Sequence, residues 1–471
     1  MTGPLAPDLC VIGAGAAGLA VAAGAVQMGA EVVLVERGLM GGDCLNFGCV
    51  PSKSLLAAAR FSALARRAAA LGITSSCPGV NFAAAAEGVQ EVIAAIAPND
   101  SAERFEGLGV KVLRSQARFT SPHTIRAGEI EVRPRRFVVA TGSHPAIPPI
   151  PGLSEASYLT NETIFANRQR PEHLIVIGAG PIGIEMAQAH CRLGARVTVL
   201  DVGPVLPRDD PDLVASLTAR LIAEGIEIRP GVEIAAIECD GAAIVAQLAG
   251  GDRIVGSHLL VAAGRRPTVD GLDLSAAGIE ATAKGITVDA RMRTTNRRAF
   301  AIGDVAGGPQ FTHIALYHAG IVIRNALFRL PAKVDYRALP WVTYTDPELA
   351  QVGLTEAAAR AAGQDVRVLR WPFSENDRAQ TERDTEGLVK VITRRNGRVL
   401  GASILGAGAG DLIMPWALAI SQNLKIGAFA NLIVPYPTRG EASKRAAGCY
   451  YTPTLFSART RRLVRLLARF G

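Results

Sequence analysis

The sequence predicts an α/β protein with two similar strand–helix–strand domains and a C-terminal α+β domain. The chain has 471 residues, which is too long for one ordinary core and suggests about three domains. Hydrophobic residues make up 49% of it, aromatic residues only 5%, and 49 residues are glycine. That composition suits close-packed α/β layers. The most specific observation is a glycine-rich loop that occurs twice with the same flanking pattern.

The two loops lie in the segments LCVIGAGAAGLA, from Leu9, and LIVIGAGPIGIE, from Leu174. In each copy an acidic residue, Glu36 or Asp201, ends a second predicted strand after a helical segment of equal length. The first glycine allows a tight turn, the second lets the backbone approach a pyrophosphate, and the third permits close helix packing. The helix N-terminus then holds the negative charge, and the acid accepts hydrogen bonds from a ribose. The pattern predicts two Rossmann-like dinucleotide-binding domains, with loop glycines Gly13, Gly15, Gly18, Gly178, Gly180 and Gly183.

Three further predicted strands end in glycine-containing turns, at residues 137–142, 259–264 and 300–304. Ligands of open α/β sheets bind at the carboxyl ends of strands, so these turns are expected to line the ligand sites. The proline-rich segment 145–152 is a stiff linker and an expected domain boundary. After about residue 338 the nucleotide loops stop, which predicts a third domain.

Residues 41–53 read GGDCLNFGCVPSK and place Cys44 and Cys49 in a loop that leads into a predicted helix. A helix N-terminus lowers the pKa of a cysteine, and Lys53, one turn further on, adds a positive charge. The segment therefore predicts a redox-active dithiol. A structural disulfide or a metal clip are the alternatives, but a four-ligand metal site needs further spaced cysteines or histidines, and none is near.

Charge and cysteine usage exclude other classes. The net charge is +8, but the last fifteen residues alone carry five arginines, so the pattern gives no reason to expect nucleic-acid binding. No secretory signal is visible, and the uncharged stretch Leu9–Ala30 contains the first glycine loop, which favours a buried strand and helix over a membrane span. The seven cysteines are mostly scattered, as in a protein of the reducing cytoplasm.

With these motifs, the chain resembles the class I flavoprotein disulfide reductases, the group of dihydrolipoamide dehydrogenase, glutathione reductase and mercuric reductase. The resemblance covers residues 8–445 and also rests on ATG at 140–142, Gly-Asp at 303–304 and PTxxE at 437–441. It implies bound FAD, a nicotinamide nucleotide, and a homodimer whose third domain completes the partner's active site. The expected domains are an FAD domain (1–150 and 266–337), an NAD(P) domain (151–265), a dimerisation domain (338–452) and a basic tail (453–471).

The same resemblance implies roles for individual residues. Cys49 would lie against the flavin and Cys44 would meet the substrate, while Glu185 would pair with the lysine beside the flavin. Asp304 would hold the ribityl chain, and His313 either contacts the flavin or caps and packs its helix. The expected catalytic set is Cys44, Cys49, Lys53, Glu185, Tyr436 and Glu441. Besides the six loop glycines, the expected cofactor-binding set is Glu36, Gly42, Lys53, Ala117, Thr141, Gly142, Glu185, Asp201, Gly264, Asp304 and His313. No metal site is expected.

Asp201 predicts a preference for NADH, because an acid at this strand end accepts from the free 2′-hydroxyl and repels the 2′-phosphate of NADPH. No arginine immediately follows it, and the next is Arg208.

The substrate question turns on a departure from the family pattern. Tyr436 stands where disulfide-reducing members place a histidine, and all seven histidines precede the third domain. A tyrosine, with a reference pKa of about 10, is a poor base at neutral pH. Mercuric reductases resemble the chain in having tyrosine there. The chain nevertheless lacks their C-terminal Cys-Cys pair and has only Cys449. Asp43 stands where threonine is commonest, and an acid there would raise the pKa of Cys44.

The expected function is therefore transfer of electrons from NADH through flavin to the Cys44–Cys49 disulfide and on to a small thiol-reactive acceptor, as in mercuric reductase. A dihydrolipoamide dehydrogenase-like or low-molecular-weight disulfide reductase is the alternative. A second alternative is a flavoprotein redox sensor, or the electron-feeding subunit of a membrane partner. Residues 459–470 form a basic amphipathic helix that either contacts a membrane surface weakly or docks against the dimer body.

Overall fold

The computed structural model describes residues 3–74, 79–241 and 243–470. They form two compact units. Unit 1 comprises Met1–Gly178, Arg192–Arg196 and Glu233–Val334, and unit 2 comprises Ala179–Cys191, Val197–Val232 and Asp335–Gly471. Cys77 lies outside the described residues.

The strands and helices, numbered along the chain, have the following bounds. The strands are β1 Leu9–Ile12, β2 Val32–Glu36, β3 Lys111–Arg114, β4 Ala117–Ser121, β5 Thr124–Ala127, β6 Ile130–Val132, β7 Arg136–Val139, β8 Ser143–Pro145, β9 His173–Ile177, β10 Arg196–Asp201, β11 Glu227–Pro230, β12 Ile234–Asp240, β13 Ala243–Leu248, β14 Arg253–Gly256, β15 His258–Val261, β16 Arg265–Pro267, β17 Ala281–Thr282, β18 Gly285–Ile286, β19 Ala299–Ala301, β20 Pro340–Thr343, β21 Glu348–Gly353, β22 Val366–Pro372, β23 Leu388–Arg394 and β24 Val399–Gly406. The helices are α1 Ala16–Gln27, α2 Gly42–Asn46, α3 Cys49–Arg67, α4 Phe82–Ile96, α5 Ala102–Gly107, α6 Pro181–Arg192, α7 Pro211–Ala223, α8 Thr312–Ala326, α9 Glu356–Ala361, α10 Asp377–Thr381, α11 Ala409–Leu412, α12 Met414–Ser421, α13 Gly427–Ala430, α14 Glu441–Gly448, α15 Thr452–Leu455 and α16 Ala458–Leu467.

The centre of unit 1 is a parallel sheet in the order β19-β7-β1-β2-β3. Its central strands are continuous hydrophobic runs because both faces are covered. The uncharged stretch from Leu9 to Ala30 is β1 and α1 in this layer, as expected, rather than a single long helix. Within the part of the chain that the structure describes, no helix is long and apolar enough to cross a membrane.

Helices α1 and α8 pack together on one side of this sheet. Their contact is built from small residues, including Ala22, Ala25, Ala315 and Ala319, which let the two helices approach closely. The approach is close enough that a Cβ on Gly24 would lie 2.7 Å from Ile323 Cδ1. This packing fixes the N-terminus of α8.

Smaller sheets complete unit 1. Strands β4, β5 and β6 form one antiparallel sheet and β12, β13 and β14 another. Strand β9 pairs in parallel with β15, and β8 pairs antiparallel with β16. The last pairing brings the segment after Gly142 beside the segment after Gly264.

Unit 2 contains the parallel pair β10 and β11 and an antiparallel sheet in the order β20-β21-β24-β23-β22. The antiparallel sheet has its own core, in which the rings of Trp416 and Phe429 stack 3.7 Å apart. The ammonium of Lys390, on β23, is buried against the carboxylate of Asp210 at 2.8 Å. Asp210 also caps α7 by accepting from the Asp212 N–H.

Candidate active site

The first glycine loop connects β1 to α1 and is held by Glu36. The Glu36 carboxylate accepts the Ala14 N–H at 2.6 Å through one oxygen and the Gly38 N–H at 2.6 Å through the other. Gly13 has φ +106°, and a Cβ there would lie 2.4 Å from the carbonyl oxygen of Ala140. The tight turn therefore requires glycine, as the sequence predicted. Gly18 lies within α1, where an added Cβ would lie 1.8 Å from the carbonyl oxygen of Gly13 in the loop.

The second loop repeats this geometry within unit 2. The Asp201 carboxylate accepts the Ala179 N–H at 2.6 Å and the Gly203 N–H at 2.7 Å. An ionised carboxylate has about four lone-pair sites, so Asp201 and Glu36 each keep acceptor capacity for a ribose diol. The acid that ends each second strand thus holds its own loop and remains able to bind a ligand. Gly183 lies in α6.

The space around the middle glycine of each loop shows whether a dinucleotide fits. Gly15 has φ −82°, and the nearest atom to an added Cβ would be Gly42 Cα at 3.9 Å. At Gly180 an added Cβ would meet no atom of the described residues within 4 Å. Protein packing does not require glycine at either position, whereas a pyrophosphate lying against the backbone does. The N-terminus of α1 also has no side-chain cap, so its N–H groups can bind an anion. Both loops fit a dinucleotide.

The cysteine-bearing segment lies directly against the first loop. Gly41 donates its N–H to the Ala14 carbonyl at 2.9 Å and forms a parallel bridge with Gly15. Gly42 has φ +58°, and a Cβ there would lie 2.7 Å from Gly15 Cα. Glycine at position 42 is therefore required for backbone contact between the two segments.

The two cysteines are on consecutive short elements and are present as free thiols. Cys44 is half-buried in α2, and Cys49 is the first residue of α3, a helix of 19 residues. The Cys49 Sγ lies 3.4 Å from the hydroxyl oxygen of Thr312, the first residue of α8. Cys49 is thus at the N-termini of two helices, and both helix dipoles favour a thiolate there.

The two thiols differ in acidity. A hydrogen bond from Cys44 lowers the pKa of Cys49 to about 6, and Thr312 and the charge of Lys53 act in the same direction. The same hydrogen bond, together with burial, raises the pKa of Cys44. At neutral pH the pair therefore carries one thiolate, on Cys49, and one proton, on Cys44. The charge of Asp43 opposes ionisation of both thiols.

Asp43 is held by two side chains of unit 1 that the sequence analysis did not identify. Its Oδ1 accepts from the Asn161 amide at 2.9 Å and lies 3.1 Å from a guanidinium nitrogen of Arg265. Asn161, which is buried, also donates to the Phe47 carbonyl at 3.2 Å and so fixes the turn between the cysteines. Asp43 thus anchors the redox segment at the position where the family commonly has threonine.

Arg265 joins Asp43 to Asp304. Its guanidinium donates to the hydroxyl of Ser143 at 2.7 Å and to the Ser143 carbonyl at 2.9 Å, and it lies 3.9 Å from Asp304 Oδ2. The Ser143 hydroxyl in turn donates to Asp304 at 2.6 Å. Burial raises the pKa of Asp304, against these two stabilising partners. Thr141 adds a bond from its hydroxyl to the Thr268 carbonyl at 2.6 Å.

The glycines beside this network take left-handed backbone conformations. They are Gly142 at φ +69° and Gly264 at φ +123°. The Gly303 N–H donates to the Nδ1 atom of His318 at 3.2 Å. Burial lowers the pKa of His318 to about 4, so this imidazole stays neutral and accepts. His318 therefore positions the Gly-Asp turn, a role for which the sequence carried no signal.

The remaining predicted residues have the following surroundings. The Lys53 ammonium donates to Ser52 at 3.3 Å, and the His313 ring is exposed and stacks on Phe311 with centroids 5.1 Å apart. Glu185, buried in unit 2, accepts the Tyr344 N–H at 2.8 Å. Ala117 is buried at the start of β4.

Tyr436 and Glu441 lie in unit 2, where Tyr436 directly precedes the PTxxE motif and Glu441 ends it. The phenol of Tyr436 is exposed and donates to Asp377 at 2.7 Å, a bond that raises the pKa of Tyr436. Glu441 is the first residue of α14, and its carboxylate accepts from Arg445 at 3.0 Å. Asp377 is a partner that the sequence analysis missed. Tyr436 can donate a proton or hydrogen bond here but is not a base at neutral pH.

Cys449 has the surroundings of a packing residue. Its thiol is half-buried, donates to the Arg370 carbonyl at 3.8 Å, and has its pKa raised by burial. Across the described ranges, no group of three or more His, Cys, Asp and Glu side chains is arranged to hold a metal ion.

Sequence comparisons match both parts of the chain to one family. Residues 7–319 match the pyridine nucleotide-disulphide oxidoreductase family, and residues 339–447 match the dimerisation domain of the same family. The mercuric reductase of Streptomyces lividans is 38% identical, with 93% of this chain and 95% of that protein covered. The dihydrolipoyl dehydrogenase of Bacillus subtilis is 34% identical, with 94% and 96% covered.

Solved structures give the same result. LpdA of Mycobacterium tuberculosis superposes with a TM-score of 0.87 at 26% identity, covering 94% of this chain and 99% of that one. The HOCl-induced flavoprotein disulfide reductase RclA of Escherichia coli, as a Cu(II) complex, gives 0.84 at 28% identity, covering 93% and 98%.

Proposed function

The chain belongs to the pyridine nucleotide-disulphide oxidoreductases, and from this premise we propose that it is an FAD-dependent, nicotinamide nucleotide-using reductase of a small thiol-reactive acceptor. The family assignment and the α/β, Rossmann-type fold expected from the sequence are confirmed by these matches. Bound FAD supplies the two-electron link between the nicotinamide nucleotide and the protein's sulfur atoms. The observation that carries the proposal is the position of Cys49 at the N-termini of α3 and α8, with its Sγ 3.4 Å from the Thr312 hydroxyl.

The dithiol provides the chemistry at the acceptor side. Cys49 is held as a thiolate by two helix N-termini, and Cys44 keeps the proton that leaves when the acceptor is engaged. Joining one thiol and one thiolate in an S–S bond releases two electrons and one proton, and the acceptor takes the two electrons. We assign Cys49 to the flavin side and Cys44 to the acceptor side, as the family resemblance implies.

The identity of Tyr436, which we propose faces the dithiol of the partner subunit, supports a mercuric-reductase-like acceptor. Reduction of a disulfide acceptor by Cys44 benefits from a base that takes the Cys44 proton and returns it to the leaving thiolate. Tyr436, bonded to Asp377 with its pKa raised, does not serve as that base at neutral pH. A metal ion bound by thiolates needs no such base. Relatives named mercuric reductase are 34–38% identical to the chain, which agrees with this choice.

An acceptor panel tests the proposal. Purified holoenzyme is given NADH and, separately, mercuric ion, lipoamide or glutathione disulfide, with a Cys44→Ser variant as the control for turnover outside the dithiol. We expect reduction of mercuric ion that depends on Cys44. Fast turnover of lipoamide would contradict the argument from Tyr436 and favour a dihydrolipoyl dehydrogenase. Turnover of none of them would favour a redox sensor or an electron-feeding subunit.

NADH is the proposed electron donor. The Asp201 carboxylate ends β10 and keeps acceptor capacity after binding its own loop, so it favours a free 2′-hydroxyl over a 2′-phosphate. Comparing the rates of flavin reduction by NADH and NADPH tests this assignment. Faster reduction by NADPH would show that the assignment of NADH is wrong. The Asp201→Ala variant should have a lower ratio of the NADH rate to the NADPH rate than the unmodified protein.

The dimerisation domain matched over residues 339–447 supports a homodimer. We propose that Tyr436 and Glu441 of one subunit face the dithiol of the other, that Glu185 pairs with Lys53, and that the domains divide at residues 150, 265, 337 and 452. We also propose a cytoplasmic location and a weak contact of residues 459–470 with a membrane surface.

A further inference from the structure

The C-terminal helix α16 of unit 2 is almost entirely exposed. Its N-terminus is capped by Ser457, whose hydroxyl accepts the Thr460 N–H at 3.2 Å. No residue of the helix is buried. We define the tail helix as α16 with the residues up to Phe470 that follow it.

The tail helix separates apolar and cationic side chains on two faces. Four of its exposed apolar side chains recur every three or four positions, which places them on one side of a helix. They are Leu463, Leu466, Leu467 and Phe470, which is 81% exposed, while the exposed Val464 lies off this face. The remaining arc carries most of the tail arginines, Arg461, Arg462, Arg465 and Arg469.

The positive charge of the tail helix indicates which kind of surface binds it. No acidic residue follows Glu441, so the tail carries only positive charge. With the five tail arginines removed, the rest of the chain still has 45 basic against 42 acidic residues. A second copy of the chain therefore offers no net negative charge to match the tail. An anionic lipid surface offers both an apolar layer and negative headgroups.

We propose that the tail helix binds the surface of an anionic phospholipid bilayer, with its leucine face in the acyl boundary and its arginines at the headgroups. The helix is far too short to cross a bilayer, so it lies in the interface. Two tails in a homodimer reinforce each other, because binding of the first raises the effective concentration of the second. This proposal deepens the membrane contact proposed above and rests on that part of the proposed function alone. It does not depend on which acceptor is reduced.

Vesicle sedimentation tests the proposal with full-length holoenzyme. We expect it to sediment with phosphatidylglycerol-containing vesicles, not with pure phosphatidylcholine vesicles, and to dissociate as salt screens the charges. Leu467→Glu and Arg465→Glu should each weaken binding about tenfold or more. Arg297→Glu, the same charge change at an exposed arginine of unit 1, is the matched control and should bind as the unmodified protein does.

Two results would overturn the proposal. One is failure of the unmodified holoenzyme to bind phosphatidylglycerol vesicles at low salt. The other is equal weakening by Arg297→Glu, which would mean diffuse attraction rather than a tail site. Trypsin digestion separates membrane binding from docking on the partner subunit. We expect rapid cleavage at the tail arginines without vesicles and protection with them, whereas protection without vesicles would favour docking.

Flavin content and acceptor turnover, measured on the same samples, separate the two proposals. An active enzyme that does not bind vesicles would contradict only the proposal for the tail helix. An inactive enzyme that binds them would contradict only the proposed reaction.

Discussion

Asp43 and Arg265 form an ion pair beside the redox dithiol, with Asp43 Oδ1 3.1 Å from a guanidinium nitrogen. The arginine is largely buried and is also bonded to Ser143, which bonds Asp304. The acid next to Cys44 therefore adds little uncompensated charge to the site. This explains how an aspartate is tolerated at a position where the family commonly has threonine, although its charge opposes thiolate formation.

Substitutions of Asp43 and of Arg265 should shift the pKa of Cys49 in opposite directions. Asp43→Asn keeps an oxygen for Asn161 but removes a negative charge, so the pKa of Cys49 should fall. Arg265→Gln leaves the Asp43 charge uncompensated, so the pKa of Cys49 should rise. The pH dependence of Cys49 alkylation, followed by mass spectrometry, measures both shifts. Shifts of the same sign in the two variants would contradict this account.

The Thr312 hydroxyl should hold the Cys49 thiolate. Thr312→Val keeps the shape of the side chain and removes the hydrogen bond at 3.4 Å, so the pKa of Cys49 should rise above about 6. Alkylation of Cys49 by iodoacetamide should then begin at a higher pH than in the unmodified protein. Thr393→Val makes the same change at a buried hydroxyl that has no partner among the described residues, and it should leave the profile unmoved.

Restoring a base at position 436 should change acceptor choice. Tyr436→His introduces a group with a pKa of about 6.5, able to take the proton of Cys44 and return it to the thiolate that leaves a disulfide acceptor. Lipoamide turnover should rise by about tenfold or more, with a new pH dependence in that range. Tyr436→Phe, the control, should leave the pH profile between about 6 and 8 unchanged because the pKa of Tyr436 lies above its usual value of about 10. No gain with histidine would mean that the missing base does not limit disulfide reduction.

The buried Lys390–Asp210 pair should matter for stability rather than chemistry. Lys390→Met leaves the buried Asp210 carboxylate without its ammonium partner, so the free energy of unfolding should fall by about 3–5 kcal/mol. Arg395→Ala breaks an exposed pair with Asp365 and should cost less than about 1 kcal/mol. Urea unfolding followed by circular dichroism compares the two. Equal losses of unfolding free energy in the two variants would show that burial of the Lys390–Asp210 pair does not determine its contribution to stability.

Local spacing predicted the two strand–loop–helix units correctly. Glu36 and Asp201 lie at the ends of their strands and hold their loops, because a strand–turn–helix unit is specified by residues close together in sequence. The helix beginning at Cys49 was predictable for the same reason. The presence of Tyr436 in place of the family's histidine could also be read directly from the sequence.

Contacts between distant segments could not be predicted from one sequence. Arg265 and Thr312 contact the dithiol segment although each lies more than 200 positions from it in the sequence. Sheet pairing and helix packing bring them together. Asp377 meets Tyr436 across 59 positions. These residues have no distinctive motif, because arginine, threonine and aspartate at strand and helix ends are common for many other reasons. The β8–β16 pairing brings Arg265, and the α1–α8 contact brings Thr312, to the dithiol segment.

The role of Cys49 as the thiolate of the pair is the central claim. Its most direct measurement is an anaerobic NADH titration of the FAD-loaded enzyme as a function of pH. The account predicts a long-wavelength absorbance band, due to a thiolate beside the flavin, that is full above about pH 7 and is lost as pH falls through about 6. Cys49→Ser should abolish the band, whereas Cys44→Ser should show it before any NADH is added. Persistence of the band in Cys49→Ser would contradict the account.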